Sequence, residues 1–275
     1  EWGNSVQHVV SHTMRDCAAI LDATAAPFPG DGVVAPAPPA PFTTFLERDP
    51  APLRIGVLDR TIREGIDLDP EVGDAVRAAA DLLQTLGHEL LDTTPPALDD
   101  ADLIASFGDQ WSANVAASLE TFGEWIGRPL TADDVEPATW LLAQRGRALS
   151  AVDVARAAKQ AMVFRHRMAD WWATEADLLL APTCLRPAPL LGESAGTPEN
   201  PFANVHVTLA YSTLTSPFNT TGQPAISLPL SRTASGLPIG IQLVAAYGRE
   251  DLLVAVGGQL ERAVDWAATR APLHP

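Results

Sequence analysis

The chain has 275 residues, 47% of them apolar, and a formal net charge of −16. This length and apolar content are enough for a sizeable core, so they predict a globular protein of one or two domains. A chain this acidic lacks the basic patch that releases counterions from phosphates, which argues against nucleic acid as a partner. The same sign of charge disfavours an anionic membrane surface, and no apolar run is long enough to suggest a membrane span.

The only two cysteines, Cys17 and Cys184, allow at most one disulfide bond. A sequence without a cysteine framework is typical of a reducing compartment, so we expect a cytoplasmic protein. Residues 1–4 (Glu-Trp-Gly-Asn) contain neither an initiator Met nor the charged-then-apolar pattern of a secretory signal. We therefore expect the chain to be a fragment of a longer protein.

Residues 13–24 are predicted to form a short helix. Thr13 and Asp16 have the spacing of a capping box, in which each side chain satisfies a free backbone N–H at the helix start. His8 and His12 are four residues apart, a spacing that suits two zinc ligands on one helix face. If Thr13 is the cap, both histidines precede the helix, so we expect no metal site there.

Residues 27–52 contain eight of the 24 prolines of the chain. Proline fixes its own backbone angle and lacks the N–H that regular structure needs. This segment is therefore predicted to be an extended, Pro-rich surface connection, without helix or strand.

A strand–helix–strand unit is predicted to follow over residues 54–91. The apolar run 54–58 is typical of a buried strand, and Asp69 followed by Pro70 is typical of a helix start. Apolar residues then recur at helical spacing until Gly87, and residues 88–91 resume as a strand. A unit of this length predicts two parallel strands joined by a right-handed crossover.

Helices are predicted to dominate residues 99–174. Over residues 99–147 we expect four aromatic side chains to pack against neighbouring elements: Trp111, Phe122, Trp125 and Trp140. Ser150 and Asp153 suggest a second capping box at the start of a long helix reaching residue 174. One apolar stripe on that helix is expected to be buried, namely Ala157, Ala161, Phe164, Met168 and Trp171.

The last third of the chain alternates strands and helices. Residues 177–181 are a predicted strand, residues 186–201 a Pro- and Gly-rich loop, and residues 225–230 and 237–244 a hairpin turning at 233–236. A helix is predicted from residue 250. Together with residues 54–91, these elements predict an α/β fold in which a mixed sheet is flanked by helices on both faces.

The sequence contains no self-contained active-site motif. The patterns G-x-G-x-x-G, G-x-x-x-x-G-K and H-E-x-x-H are absent, and G-x-S-x-G occurs once, at residues 192–196, inside the predicted Pro- and Gly-rich loop and not between a strand and a helix. Serines and histidines are numerous enough for a triad, but the sequence does not show that any of them meet in the fold. We therefore expect no complete catalytic centre within these residues.

Four segments together resemble one known family. They are residues 216–230 (SPFNTTGQPAISLPL), residues 237–244 (LPIGIQLV), residues 178–184 (LLLAPTC) and the opening residues 1–24. In order and spacing they resemble the C-terminal portion of the amidase signature family, serine hydrolases that cleave amides and some esters. The opening segment, with VQHVVS at 6–11, is especially similar to 6-aminohexanoate-cyclic-dimer hydrolases.

The resemblance implies that residues 1–275 are the C-terminal portion of a single amidase domain with the amidase signature fold. That family uses a Ser nucleophile, a bridging Ser and a Lys base, and its Gly/Ser-rich loop holds the oxyanion. By the resemblance these groups precede Glu1, and Lys159 in a predicted helix does not replace the base. We therefore expect no catalytic residue in this chain, no activity of the chain alone, no metal and no organic cofactor.

The resemblance further implies that the chain lines the substrate pocket, through Thr183 and Cys184 in one loop and Phe218 and Asn219 in another. For Cys184, the alternative is a buried thiol that acts as a small apolar residue. For Asn219, the alternatives are a hydrogen bond to a substrate carbonyl and a cap on its own turn.

The expected partners are a small amide substrate and the N-terminal amidase portion, with a homodimer also open. The complete protein is expected to hydrolyse linear or cyclic amides. The alternative is a separate, non-catalytic subunit or a ligand- or partner-binding protein derived from an amidase.

Overall fold

The computed structural model describes residue 6 and residues 8–269, apart from the side chains of residues 103 and 104. The remaining residues of the opening segment, 1–5 and 7, lie outside the described part. The strands of the described part are β1 (Arg54–Val57), β2 (Glu89–Leu91), β3 (Leu178–Pro182), β4 (Ala225–Arg232) and β5 (Pro238–Ala245). Its α-helices are α1 (Met14–Thr24), α2 (Pro70–Thr85), α3 (Ala101–Ile126), α4 (Pro137–Ala148), α5 (Ala151–Thr174), α6 (Val205–Ser212), α7 (Ser216–Thr221) and α8 (Glu250–Val264).

The five strands form one mixed sheet in the order β2-β1-β3-β5-β4. β1 runs parallel to both β2 and β3, whereas β5 runs antiparallel to both β3 and β4. The predicted parallel pair and the predicted C-terminal hairpin are both confirmed. β3 is therefore the strand at which the sheet changes from parallel to antiparallel.

The core lies on both faces of β3, all five residues of which are buried. Leu178 and Leu180 pack with α2 and α8 on one face. Leu179 and Ala181 pack with α5, α6 and α7 on the other face. Since successive side chains of a strand point to opposite faces, this run of apolar residues is what a strand covered on both sides requires. The predicted mixed sheet between two helical layers is confirmed.

The helix boundaries follow the predicted caps. Thr13 Oγ1 accepts the N–H of Asp16 at 3.1 Å, and Asp69 Oδ1 accepts the N–H of Glu71 at 2.9 Å. Ser150 and Asp153 form the reciprocal capping box at the start of α5. These bonds satisfy backbone donors that have no partner within the helix, which is why each helix begins at the residue after its cap.

The Pro-rich connection differs from the prediction at residues 42–47. Phe42–Glu47 form a 3-10 helix, and Phe42 is buried against α1 and α8. Both oxygens of the Asp22 carboxylate accept backbone N–H groups there, from Phe42 at 2.5 Å and from Thr43 at 3.1 Å. The turn is stabilised by a carboxylate that lies 20 residues earlier, so local sequence did not reveal it.

The packing prediction for four aromatic residues of α3 and α4 was wrong for three of them. Trp111, Phe122 and Trp125 are 38%, 44% and 77% exposed, whereas Trp140 joins a small cluster between α3 and α4. α3 packs mainly on α4 and α5, so one side of the helix has no layer above it in the described part of the chain. The aromatic residues on that side therefore remain at the surface.

No helix within residues 8–269 has both the length and the apolar composition that crossing a bilayer would require.

Candidate substrate-binding site

The candidate site begins where the central strand ends. Directly after β3, the N–H of Thr183 donates to the carbonyl of Gly240 at 3.0 Å and the N–H of Leu185 donates to the carbonyl of Ala210 at 2.8 Å. Within the same loop, the carbonyl of Leu185 accepts the N–H of Asp69 at 2.9 Å. The loop that carries Thr183 and Cys184 is thus attached to β5, to α6 and to the segment before α2, and loops at strand ends are where α/β sheets place ligand contacts.

Thr183 lies in a small polar group on one face of the hairpin. Its hydroxyl lies 2.6 Å from the hydroxyl of Ser227 on β4. A Cβ atom at Gly240 would lie 2.7 Å from Ser227 Oγ and 3.0 Å from Thr183 Oγ1. Glycine at position 240 therefore leaves room for the two hydroxyls to meet.

Cys184 is half-buried, and its Sγ lies 3.8 Å from the backbone carbonyl of Tyr211 on α6. Burial raises the pKa of the Cys184 thiol above its ordinary value of 9.0. The thiol is therefore protonated at neutral pH, and since the thiolate is the nucleophilic form, Cys184 is suited to weak hydrogen bonding rather than to attack on a substrate.

Phe218 and Asn219 lie on α7, a short helix, whereas the sequence analysis placed them in a loop. Phe218 is only 3% exposed, and its ring packs edge-to-face on Trp172 with the ring centres 6.5 Å apart. A ring enclosed in this way supports α7, and the pocket role of Phe218 stays a prediction. Asn219 follows it on the same helix and is partly exposed.

α7 is held against the sheet by polar contacts at both ends. Gln242 of β5 donates from Nε2 to the carbonyl of Leu214 at 2.9 Å, and Arg165 of α5 donates from Nε to the carbonyl of Thr220 at 2.7 Å. Gly222 then ends the helix in the left-handed conformation, with φ of 81°, that glycine adopts without strain. The position of Asn219 is therefore fixed by the sheet and by α5.

The two predicted pocket segments rest on the same apolar cluster. Leu185, next to Cys184, and Phe218, next to Asn219, both belong to the core between β3 and the layer of α5, α6 and α7. Cys184 contacts Tyr211 of α6 and Asn219 lies on α7, so both residues adjoin the same helical layer.

The other residues considered in the sequence analysis lie away from this site. Lys159 is exposed on α5. Thr13 caps α1, so His8 and His12 precede that helix, and His8 Nε2 lies 3.5 Å from Cys17 Sγ. Within the described residues, no three His, Cys, Asp or Glu side chains are grouped as metal ligands.

Two residues of the site, Ser227 and Tyr211, were missed by sequence reasoning. Ser227 was present in the PAISLP segment, and strand alternation places it opposite Gln242 and on the same face as that residue. That alternation was the available signal. Tyr211 was missed because its contacts are to residues more than 20 positions away, which no local pattern reveals.

Comparison with known proteins gives one consistent result. The family model described as "Amidase" matches residues 2–254. The chain is 37% identical over 276 residues to a 6-aminohexanoate-cyclic-dimer hydrolase from Pseudomonas sp. (strain NK87), and 38% identical to one from Paenarthrobacter ureafaciens. Each alignment covers 98% of this chain and 56% of the relative, so the chain spans little more than half the length of these relatives.

The structural comparison agrees. The solved structure of a 6-aminohexanoate cyclic dimer hydrolase superposes with a TM-score of 0.90 at 38% identity, covering 95% of this chain and 55% of the other. A further structure of that hydrolase, complexed with substrate, superposes equally well. A bacterial aryl acylamidase of the amidase signature family superposes with a TM-score of 0.73 over 94% of this chain and 54% of its own. Its sequence is only 19% identical, so this last likeness is one of fold alone.

Proposed function

The chain belongs to the amidase family, and from that premise we propose that it forms the substrate-side part of an enzyme that hydrolyses linear or cyclic amides. The observation that carries the proposal is the loop after β3. It presents a half-buried, protonated thiol after the central strand and against α6, which packs in the same helical layer as the α7 that carries Asn219.

In the proposed reaction, the nucleophile, bridging serine and lysine are those of the family's Gly/Ser-rich portion, which these 275 residues do not contain. A covalent acyl-enzyme forms and is then hydrolysed, with neither metal nor organic cofactor. The chain's own contribution is to bind and orient the amide, which brings the scissile bond to the nucleophile.

The polar groups of the site have separate roles in this proposal. The sulfur of Cys184 accepts a weak hydrogen bond from a substrate N–H while its S–H faces the carbonyl of Tyr211, and its small size leaves room for an extended or cyclic amide. Asn219 donates its side-chain amide to a substrate carbonyl. Thr183 closes one side of the pocket through its contact with Ser227.

The resemblance to two cyclic-dimer hydrolases favours an amide with flexible alkyl segments as the substrate. This choice comes from those relatives, which are named for that substrate, and from the small side chains at positions 183, 184 and 227 of this chain.

A fusion protein tests the proposal. The part of the Pseudomonas hydrolase that this chain does not match is joined to residues 1–275, and the product is assayed on 6-aminohexanoate cyclic dimer and on p-nitroacetanilide. We expect turnover that a serine-directed inhibitor abolishes, and none from the 275-residue chain alone. A folded fusion without turnover would contradict the proposal and favour the separate binding protein, and inhibitor-sensitive turnover by the chain alone would refute the proposed division of roles.

A further inference from the structure

The loop that carries Cys184 is attached to α6 at two points. Near its start the bond is between backbone groups, and at its exit the bond comes from the side chain of Tyr211. The hydroxyl of Tyr211 donates to the carbonyl of Pro187 at 2.6 Å. The backbone carbonyl of the same tyrosine lies 3.8 Å from Cys184 Sγ. One residue of α6 therefore contacts both the thiol and the point where the loop leaves the sheet.

The surroundings of Tyr211 shield this contact in part from water. Both the tyrosine and Pro187 are only partly exposed. The Arg186–Glu193 ion pair, with Nη2 and Oε1 3.3 Å apart, lies in the same loop and is close enough to influence the phenol. A hydroxyl in such a place is held by its acceptor, and its loss leaves the carbonyl of Pro187 without that partner.

The rest of α6 is arranged to hold Tyr211 still. Ala210, the preceding residue, is buried, and its carbonyl accepts the N–H of Leu185 at 2.8 Å. Thr213 ends the helix with its hydroxyl on the carbonyl of Leu209 at 2.7 Å. The helix is therefore packed on the core, and the tyrosine transmits that rigidity to the loop.

We infer that Tyr211 is the positioning residue of the Cys184 loop, its carbonyl orienting the thiol and its hydroxyl fixing the loop exit at Pro187. The link to catalysis rests on the proposed function, in which Cys184 contacts the amide. The positioning itself rests on the contacts of the described residues and has its own test.

The test uses the full 275-residue chain with Cys17→Ala, so that Cys184 is the only thiol. Dithionitrobenzoate reports how fast that thiol reacts as the pH is varied. In Tyr211→Phe we expect the rate to rise roughly two- to twelvefold, the factor that corresponds to one hydrogen bond. We also expect the pH midpoint of the reaction to fall, because a looser loop hydrates the thiolate.

Tyr247 provides the matched control, since the sequence has only two tyrosines and this one is 47% exposed. Tyr247→Phe removes the same hydroxyl and should leave both the rate and its midpoint unchanged. A melting curve for each variant separates loop release from loss of the fold. Tyr211→Phe with an unchanged melt, rate and midpoint would overturn the inference.

A kinetic measurement on the fusion protein separates this inference from the proposed function. A displaced thiol weakens binding in the ground state and the transition state alike, so Tyr211→Phe should raise KM and leave kcat nearly unchanged. A faster thiol reaction together with an unchanged KM would support the positioning of the loop and overturn the assignment of Cys184 to the pocket.

Discussion

At the scale of single residues, the thiol of Cys184 has a pKa that can be measured, and it lies in the proposed pocket. A thiol whose pKa is raised by burial is a protonated, compact donor at neutral pH. Its neighbours on the chain, Thr183 and Leu185, are fixed by backbone bonds to β5 and α6. Changes at position 184 therefore alter the volume and polarity at one point without releasing the loop.

Replacing Cys184 tests this directly in the fusion protein. Cys184→Ala is expected to keep the fold and lower kcat/KM by roughly two- to twelvefold, because one weak hydrogen bond of about 0.5–1.5 kcal/mol is lost. Cys184→Phe is expected to block the cyclic dimer more than the short p-nitroacetanilide. If Cys184→Phe leaves the ratio of the two rates unchanged, the residue belongs to the core and not to the pocket.

Gly56 on β1 is a second position, where one added carbon atom is expected to lower stability. A Cβ there would lie 2.5 Å from the carbonyl oxygen of Thr93 and 2.6 Å from Cζ2 of Trp171. Overpacking of this kind costs about 1–3 kcal/mol, so Gly56→Ala should lower the free energy of unfolding by that amount in urea denaturation. Gly32→Ala is the control, since nothing lies within 4 Å of its Cβ position. Equal stability of the two variants would show that β1 can shift away from Trp171.

At the scale of elements, His88 joins three parts of the fold. It precedes β2 and is 5% exposed, its Nδ1 accepts the N–H of Leu53 at 3.2 Å, and its Nε2 lies 2.8 Å from Oε1 of Gln259 on α8. Because the Leu53 bond requires an acceptor at Nδ1, the proton of the neutral ring is at Nε2 and donates to Gln259. The imidazole thus connects the residue before β1, the turn after α2 and α8.

Removing this ring should loosen all three elements at once. His88→Ala leaves the Leu53 N–H and the Gln259 carbonyl buried without that partner, and each such group costs about 1–3 kcal/mol. We expect the free energy of unfolding to fall by about 2 kcal/mol or more, measured by urea denaturation. His166→Ala changes an exposed histidine of α5 and should have little effect. Similar losses in the two variants would mean that the buried bonds contribute nothing specific.

The elements also show how far sequence reasoning reaches. The capped helices α2 and α5 and the five strands were found from periodicity and from local cap residues such as Asp69 and Ser150, which act within one turn. α7 was taken for a loop because six residues are too few to show a helical period. The exposure of Trp125 depends on which elements cover α3, and that is a property of the assembled fold.

The candidate site also contains residues that the sequence indicated and residues that it did not. Thr183 and Cys184 were named as pocket residues because the segment at 178–184 resembles the family, and their contact with a substrate stays a prediction. The burial of Phe218 on Trp172 and the contact of Tyr211 with Pro187 join segments that are far apart along the chain. Such contacts are decided by packing between layers, which a single sequence does not encode in any local pattern.

At the scale of the whole molecule, ionisable groups define the pH range of stability. The Arg128 side chain, bonded to Asp134, and the Ser150 hydroxyl, bonded to Asp153, hold the pKa values of both carboxyls below their ordinary 3.8. Burial raises the pKa values of the Cys184 thiol and the Tyr211 phenol above their ordinary 9.0 and 10.0.

The signs of these shifts predict a plateau of stability. The carboxylates contribute fully above 3.8, and their contribution is lost as the pH falls below that value. The buried thiol and phenol contribute fully below 9.0 and 10.0, and their contribution is lost as the pH rises past those values. Burial raises the pKa of Glu250, so this group adds stability in acid and offsets part of the stability that the carboxylates lose there.

Urea denaturation of the full chain should therefore give a maximum between about pH 5 and 8. Asp134→Asn should reduce the slope of the acid limb and Cys184→Ala that of the alkaline limb, each without affecting the other. A variant that shifts both limbs together would show that net charge, and not these groups, controls the profile.

β1 and its neighbour β3 are far apart along the chain, and this separation has a consequence while the protein is being synthesised. The N–H of Arg54 at the start of β1 bonds to the carboxylate of Asp177, 123 positions later, just before β3. At a synthesis rate of about 5–20 residues per second, the ribosome takes roughly 6 to 25 s to supply that partner. During this interval the inner edge of β1 is an unpaired strand edge on a nascent chain, open to pairing with other strands. We therefore expect a holdase chaperone to bind the unit β1–α2–β2 before β3 has been made.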